Sequence, residues 1–235
     1  EVGSVDVIEQ GVGRIFTDPD ADKAREFFRH KSCALVSKLT TVKQAVQKYV
    51  QDGDYVSIGG FGVNRIASAV LHEMVRQGKK NLGLAGHTAT HDFEILSAGG
   101  CFNRCDVAYI IGLEARGLSP NARQYMESGK VEVCEWTNYT LAVRYKAACA
   151  GVSFHPIRNM MGTDTFKYSG AVKVKCPFTG TNYALVPALY SDVGLLHVHE
   201  ADIYGNCRTK GILMSDYDIA RSSKKVIVTC ERLIT

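Results

Sequence analysis

No stretch of this 235-residue chain approaches the roughly 18 consecutive apolar positions that a membrane-spanning helix needs. The opening residues, EVGSVDVIEQ, are acidic and hold no hydrophobic run, so they do not read as a secretory signal. Basic residues never mass together. The 28 Lys and Arg face 24 Asp and Glu, the net charge is +4, and the cations are dispersed, so charge makes no case for nucleic acid. The eight cysteines form no CxxC pair. The nearest spacing, Cys101 to Cys105, lacks further ligands at a convincing separation, and no metal site is expected. Scattered cysteines in a chain this long point to reduced thiols and a cytoplasmic setting. Short repeats and low-complexity segments are missing too.

What is present is an ordinary globular composition, 46% hydrophobic and 22% charged, long enough for one sizeable core. Residues 1–37 read as an extension, with a turn signal at Asp18-Pro19-Asp20 and a short amphipathic helix over Ala21 to Arg29 packed on the main domain or on a partner. From residue 38 onward strands and helices alternate. Thr40 or Thr41 caps a helix carrying Val42, Ala45, Val46 and Tyr49 at helical spacing. Tyr55 to Ile58 is a strand, and Ile66, Val70 and Met74 lie on one face of the next helix, which Gly78 ends. Strands follow at Leu82 to Ala85 and Val107 to Ile111, a helix at Asn121 to Ser128, and a strand at Val131 to Trp136. The helix from Tyr139 to Ala150 stops at Gly151, and a strand from Val152 to His155 ends at Pro156. The rhythm fails over 157–182. Strand-like runs return at Ala184 to Val186, Val193 to Val198 and Lys225 to Cys230. This alternation predicts an α/β fold around an open, mostly parallel sheet with helices on both faces. The chain stops at Thr235 directly after a strand-like run, which raises the expectation of a further C-terminal tail.

The most informative segment runs from Asp52 through Gly59-Gly60-Phe61-Gly62 to Arg65, a strand entering a glycine-rich turn and then a helix. Ligands in parallel α/β folds bind beyond the carboxyl ends of the strands, and glycine lets backbone N–H groups approach a ligand closely. No Gly-Lys-Ser/Thr follows, so this is not a phosphate-binding P-loop, and the third glycine of a dinucleotide fingerprint is missing. Asp52-Gly53 with Gly59-Gly60-Phe61 resembles the N-terminal signature of family I coenzyme A-transferases. Arg65 and Ala67 stand where the general pattern has glycine and proline, and the arginine is similar to the glutaconate CoA-transferase α-subunit branch. Glu127 to Val143 resembles the family's strand-turn-helix, with Asn138 at the position of a glutamine that faces the acyl group. Ala147 to Pro156, Cys176 to Gly180 and Leu196 to Asn206 resemble further segments in the family's order. The resemblance covers about residues 38–234, a CoA-transferase α-type domain of NagB/RpiA-like fold.

That resemblance implies a partner: a β-type CoA-transferase subunit that carries the catalytic glutamate, in an α2β2 or larger hetero-oligomer with the active site at the subunit junction. No glutamate here is followed by Asn-Gly or Gln-Gly, and Glu114, Glu135 and Glu200 are the acids nearest the matching segments. The implied substrates are an acyl-CoA and a carboxylic acid, with a dicarboxylate such as glutaconate suggested by Arg65. The CoA thioester is a co-substrate, and no permanently bound cofactor or metal is expected. The implied roles are an oxyanion or acyl contact for Asn138 and substrate binding for Gly59, Gly60, Phe61, Gly62, Arg65 and His87. A separate reading of Gly86 to Asp92 places His87 and His91 in a loop. Their spacing would suit a zinc protease helix, but the glutamate after the first His is missing. His197 and His199 share one strand face, and two ligands do not make a zinc site. The rival readings are an acyl-CoA hydrolase or decarboxylase on the same fold, and a non-catalytic binding subunit.

Overall fold

The computed structural model describes residues 6–110 and 117–234. Its frame is a mainly parallel sheet made from β2 (Tyr55–Ile58), β3 (Leu82–Gly86), β4 (Phe102–Val107), β5 (Glu132–Glu135), β9 (Ser191–Asp202) and β11 (Ser223–Ile234), in the spatial order β11-β9-β2-β3-β4-β5. All of these pairs are parallel. The short β10 (Cys207–Arg208) adds an antiparallel pair at the far end of β9.

Side chains on these strands alternate between two cores, as the pleat requires. Val56 and Ile58 join Leu82 and Leu84 against α2 (Val42–Tyr49), α3 (Ser68–Arg76), α4 (His91–Ala98) and α5 (Pro120–Glu127). Tyr55 and Ala85 face the opposite way, toward α6 (Asn138–Ala150) and α8 (Asp216–Ser222). Burial on both faces explains why β2 and β3 read as unbroken apolar runs. The helix ends follow local chemistry. Of the two candidate caps before α2, Thr41 is the one used, in a reciprocal capping box with Gln44. Gly151 closes α6 in the left-handed conformation, φ 69°.

A second sheet, antiparallel and four-stranded, was not expected. It has the order β1-β7-β8-β6, with β1 (Val7–Gln10), β7 (Val172–Lys175), β8 (Asn182–Pro187) and β6 (Phe154–Ile157). The segment that lost its rhythm thus contributes α7 (Asp164–Lys167) and β7. Pro156 lies inside β6, an edge strand where a missing N–H is tolerated, rather than ending it. The strand expected at Val107 to Ile111 is instead β4, which ends at Val107; Ile111 and Glu114 lie outside the described residues. The extension docks on the body of the protein. Its β1 pairs with β7, and Ala24 and Phe28 of α1 (Ala21–Arg29) pack against Ala147, Ala148, Ala188 and Tyr190.

Candidate functional site

Three loops leave the carboxyl ends of adjoining strands and are stitched together. The first follows β2. Gly60 and Gly62 take φ of 89° and 59°, and Phe61 and Asn64 exchange backbone hydrogen bonds of 3.0 and 2.9 Å across the turn. A side chain at Gly60 would come within 2.6 Å of the Asn64 carbonyl, so both φ and space demand glycine there. The second loop follows β3. The Gly62 N–H donates to the Thr88 carbonyl (2.9 Å), and the Thr90 hydroxyl donates to the Gly62 carbonyl (2.7 Å). The third joins β5 to α6 and carries Asn138. Arg65 and Thr88 both hold left-handed φ, 57° and 53°, a conformation unfavourable for residues with a Cβ and concentrated here on two facing loops.

His87 links the second and third loops. Its ring is buried, lies 6.3 Å from the Phe61 ring, and is 2.7 Å through Nε2 from the Asn138 main-chain carbonyl. A carbonyl only accepts, so Nε2 carries the hydrogen and Nδ1, 3.3 Å from the Thr88 hydroxyl, is the accepting nitrogen. Burial pushes its pKa down against the opposing pull of the Asn138 hydrogen bond, leaving a neutral ring at pH 7. Two residues into α4, Asp92 is buried and accepts from the Thr90 N–H at 2.7 Å. Burial raises its pKa to about 6, although that hydrogen bond opposes the shift.

Asn138 stands at the first position of α6, not at its cap. Thr137 is the cap, its hydroxyl accepting from the Thr140 N–H at 3.1 Å while the Thr140 hydroxyl accepts from the Thr137 N–H at 2.7 Å. The side-chain oxygen of Asn138 is buried with no hydrogen-bond partner. A buried acceptor left unpaired is unfavourable, and such groups are found where a ligand supplies the partner.

The structure thus gathers Gly59, Gly60, Phe61, Gly62, His87 and Asn138 at one end of the sheet. The backbone N–H groups of the glycine turn are already engaged: Gly59 with the Leu195 carbonyl, Gly60 with Asp216 Oδ1, Phe61 with the Asn64 carbonyl and Gly62 with the Thr88 carbonyl. The Arg65 guanidinium is engaged as well, at 2.8 Å from Asp216 Oδ1. Sequence reasoning missed Asp216, Thr88 and Thr90. The acids weighed as nucleophiles lie elsewhere: Glu200 pairs with Arg208 and Arg232, and Glu135 is in β5. Both His197, bonded to the Thr229 hydroxyl at 2.8 Å, and His199, accepting from the Lys210 N–H, belong to β9 and its neighbours. Among the described residues no cluster of metal-ligating groups occurs, and no helix is long and apolar enough to cross a membrane. All eight cysteines are free thiols.

Polar and glycine-rich loops gathered at the carboxyl ends of neighbouring parallel strands define an open-sheet α/β protein with its ligand cleft at the strand ends. The coenzyme A transferase family model matches residues 39–235, and the chain belongs to that family. An uncharacterised protein of Archaeoglobus fulgidus is 42% identical over all of this chain, which spans 53% of that protein's length. One of the two subunit types of the 3-oxoadipate CoA-transferase of Pseudomonas knackmussii is 34% identical, across 85% of this chain and 71% of its own. The crystal structure of glutaconate coenzyme A-transferase from Acidaminococcus fermentans superposes with a TM-score of 0.80 at 29% identity, covering 84% of this chain and 68% of that one.

Proposed function

We propose that this chain is the α-type half of a CoA-transferase, which moves coenzyme A from an acyl-CoA to a carboxylic acid together with a β-type partner subunit. The observation that carries the reading is the cleft itself. It offers a glycine turn, a neutral buried imidazole and an unpartnered amide oxygen, but no carboxylate placed to attack an acyl group among its described residues. Such a half-site binds and polarises; a nucleophile has to come from elsewhere. Relatives that are themselves single subunits of 3-oxoadipate and glutaconate CoA-transferases support a second chain as its source.

In this scheme a partner glutamate attacks the thioester carbonyl and expels the CoA thiolate, leaving a mixed anhydride. The thiolate attacks the glutamyl carbonyl of that anhydride, releasing the first acid and leaving a glutamyl-CoA thioester. The acceptor carboxylate then reverses the two steps. Dividing one exchange into easier ones is the usual gain from a covalent nucleophile. Each acyl step passes through an oxyanion, which gains most from donors fixed in advance. We assign Asn138 to that contact and Gly59 to Gly62, with His87, to the wall that shapes the acyl pocket. His87 holds the Asn138 main chain through Nε2 and so fixes where the amide points.

The test is reconstitution. The chain alone should show no CoA transfer, and the complex with its β-type partner should show it. Borohydride or hydroxylamine added after acyl-CoA should modify a glutamate of the partner. Transfer by the isolated chain, or label on one of its own cysteines, would remove the α-subunit reading. Thioester hydrolysis or decarboxylation without transfer would assign the complex to the rival chemistries.

A further inference from the structure

Arg65 is bound from inside. Asp216 Oδ1 accepts from Arg65 Nη1 at 2.8 Å and from the Gly60 N–H at 3.1 Å, and Oδ2 accepts from Arg65 Nη2 at 3.1 Å. Arg65 Nη2 also donates to the Ile212 carbonyl. The two side chains are only 7% and 8% exposed. This is a forked, charge-assisted contact, the strong form of the Arg–carboxylate pair. The glycines are shaped around it: a Cβ at Gly59 would lie 2.9 Å from Asp216 Oδ1 and 2.4 Å from Leu196 Cδ2. Asp216 opens α8, whose Ile219 is buried among Tyr145, Leu189 and Leu196. One carboxylate therefore ties the turn after β2 to the core beneath α6 and α8. A substrate carboxylate that took Arg65 would have to displace Asp216 and leave a buried charge unpaired, a strongly unfavourable exchange.

We propose that Asp216 is the positioning residue for the Gly59–Gly62 turn, and that Arg65 serves as its internal counter-ion rather than as the ligand of a substrate carboxylate. This rests on the reading of that turn as the acyl pocket. Selection between mono- and dicarboxylic acids then falls to other residues, those of the partner included.

The experiment uses the reconstituted two-subunit complex with Asp216→Ala, Arg65→Lys and the double variant Asp216→Asn with Arg65→Met. In the double variant Asn accepts from the Gly60 N–H and no charge is left unpaired. Amide exchange in a Gly59–Arg65 peptide should rise about 10- to 100-fold in Asp216→Ala while Tyr55–Ile58 is unchanged, and should return toward wild type in the double variant. The kcat of Asp216→Ala should fall about 100-fold, as displaced binding walls commonly produce, and the double variant should recover most of it. Arg65→Lys should alter KM for mono- and dicarboxylic acceptors alike. Unchanged exchange in Asp216→Ala, or a KM increase confined to dicarboxylates in Arg65→Lys, would overturn the proposal. A wild-type complex without transfer activity would instead remove the transferase reading, while the exchange measurement still decides what Asp216 does.

Discussion

The amide of Asn138 enters the cleft with its oxygen buried and unpaired, on a helix whose cap is another residue. That separation makes function and stability independently measurable. Asn138→Ala should leave the melting temperature of the complex close to wild type, because the Thr137–Thr140 capping box is untouched. Its kcat should fall about 10²–10³-fold if the amide donates to the developing oxyanion. Asn138→Asp places a negative charge beside that oxyanion and should be at least as damaging to transfer. An active Asn138→Asp complex would end the catalytic assignment. The positions of Asn138 and His87 were legible because each follows a strand that is easy to read, and strand ends are where parallel sheets bind ligands. The fate of Arg65 was not legible. Its partner lies 151 positions away, in a short helix without a side-chain cap, and no local pattern announces a contact of that separation.

Among the elements, those with strong punctuation were read closely: β2 to the residue, and α6 together with its glycine stop. Those missed lack it. Neither α4 nor α8 has a side-chain cap, and β7 is four residues of alternating Val and Lys. Helix α4 does have a second task that only the fold reveals. Glu94 reaches the start of α5, where Ser119 makes no capping bond. Its Oε1 accepts from the Asn121 N–H at 3.2 Å and Nδ2 at 2.6 Å, and its Oε2 accepts from the Ala122 N–H at 2.9 Å. A carboxylate at a helix N-terminus satisfies orphan donors and meets the positive end of the dipole. Glu94→Ala should cost about 0.5–2 kcal/mol, the range for losing a cap, and exchange should rise selectively in α5. Glu94→Gln keeps an acceptor and should retain part of the protection. If both variants melt with wild type and α5 exchanges normally, Glu94 is a surface carboxylate and no more.

At the scale of the whole molecule, the parallel sheet was readable and the antiparallel one was not. Strands β6 and β1 carry mostly exposed side chains, so neither shows the apolar signature of a core strand. The join between the two layers is polar and fully buried, which hydrophobic patterning does not detect. Asp106 on β4 is its centre. It pairs with Arg144 of α6 at 2.7 Å, accepts from Trp136 Nε1 at 2.5 Å and is bonded to the Tyr55 hydroxyl. Arg144 lies 4.2 Å over the Trp136 ring and donates through Nε to the Pro187 carbonyl at the end of β8. Both charges are 0% exposed. Such a pair adds little net stability over well-packed apolar residues, yet removing one member strands the other charge, at about 3–5 kcal/mol. Asp106→Ala should therefore lower the unfolding free energy by about that much, far more than Glu94→Ala, in denaturant titrations with an unchanged slope. The double change Asp106→Asn with Arg144→Met removes both charges and should recover a large part of the loss. If Asp106→Ala costs less than about 1 kcal/mol, below the range for a stranded buried charge, or the double variant is no better than the single, the network is not what joins the two layers.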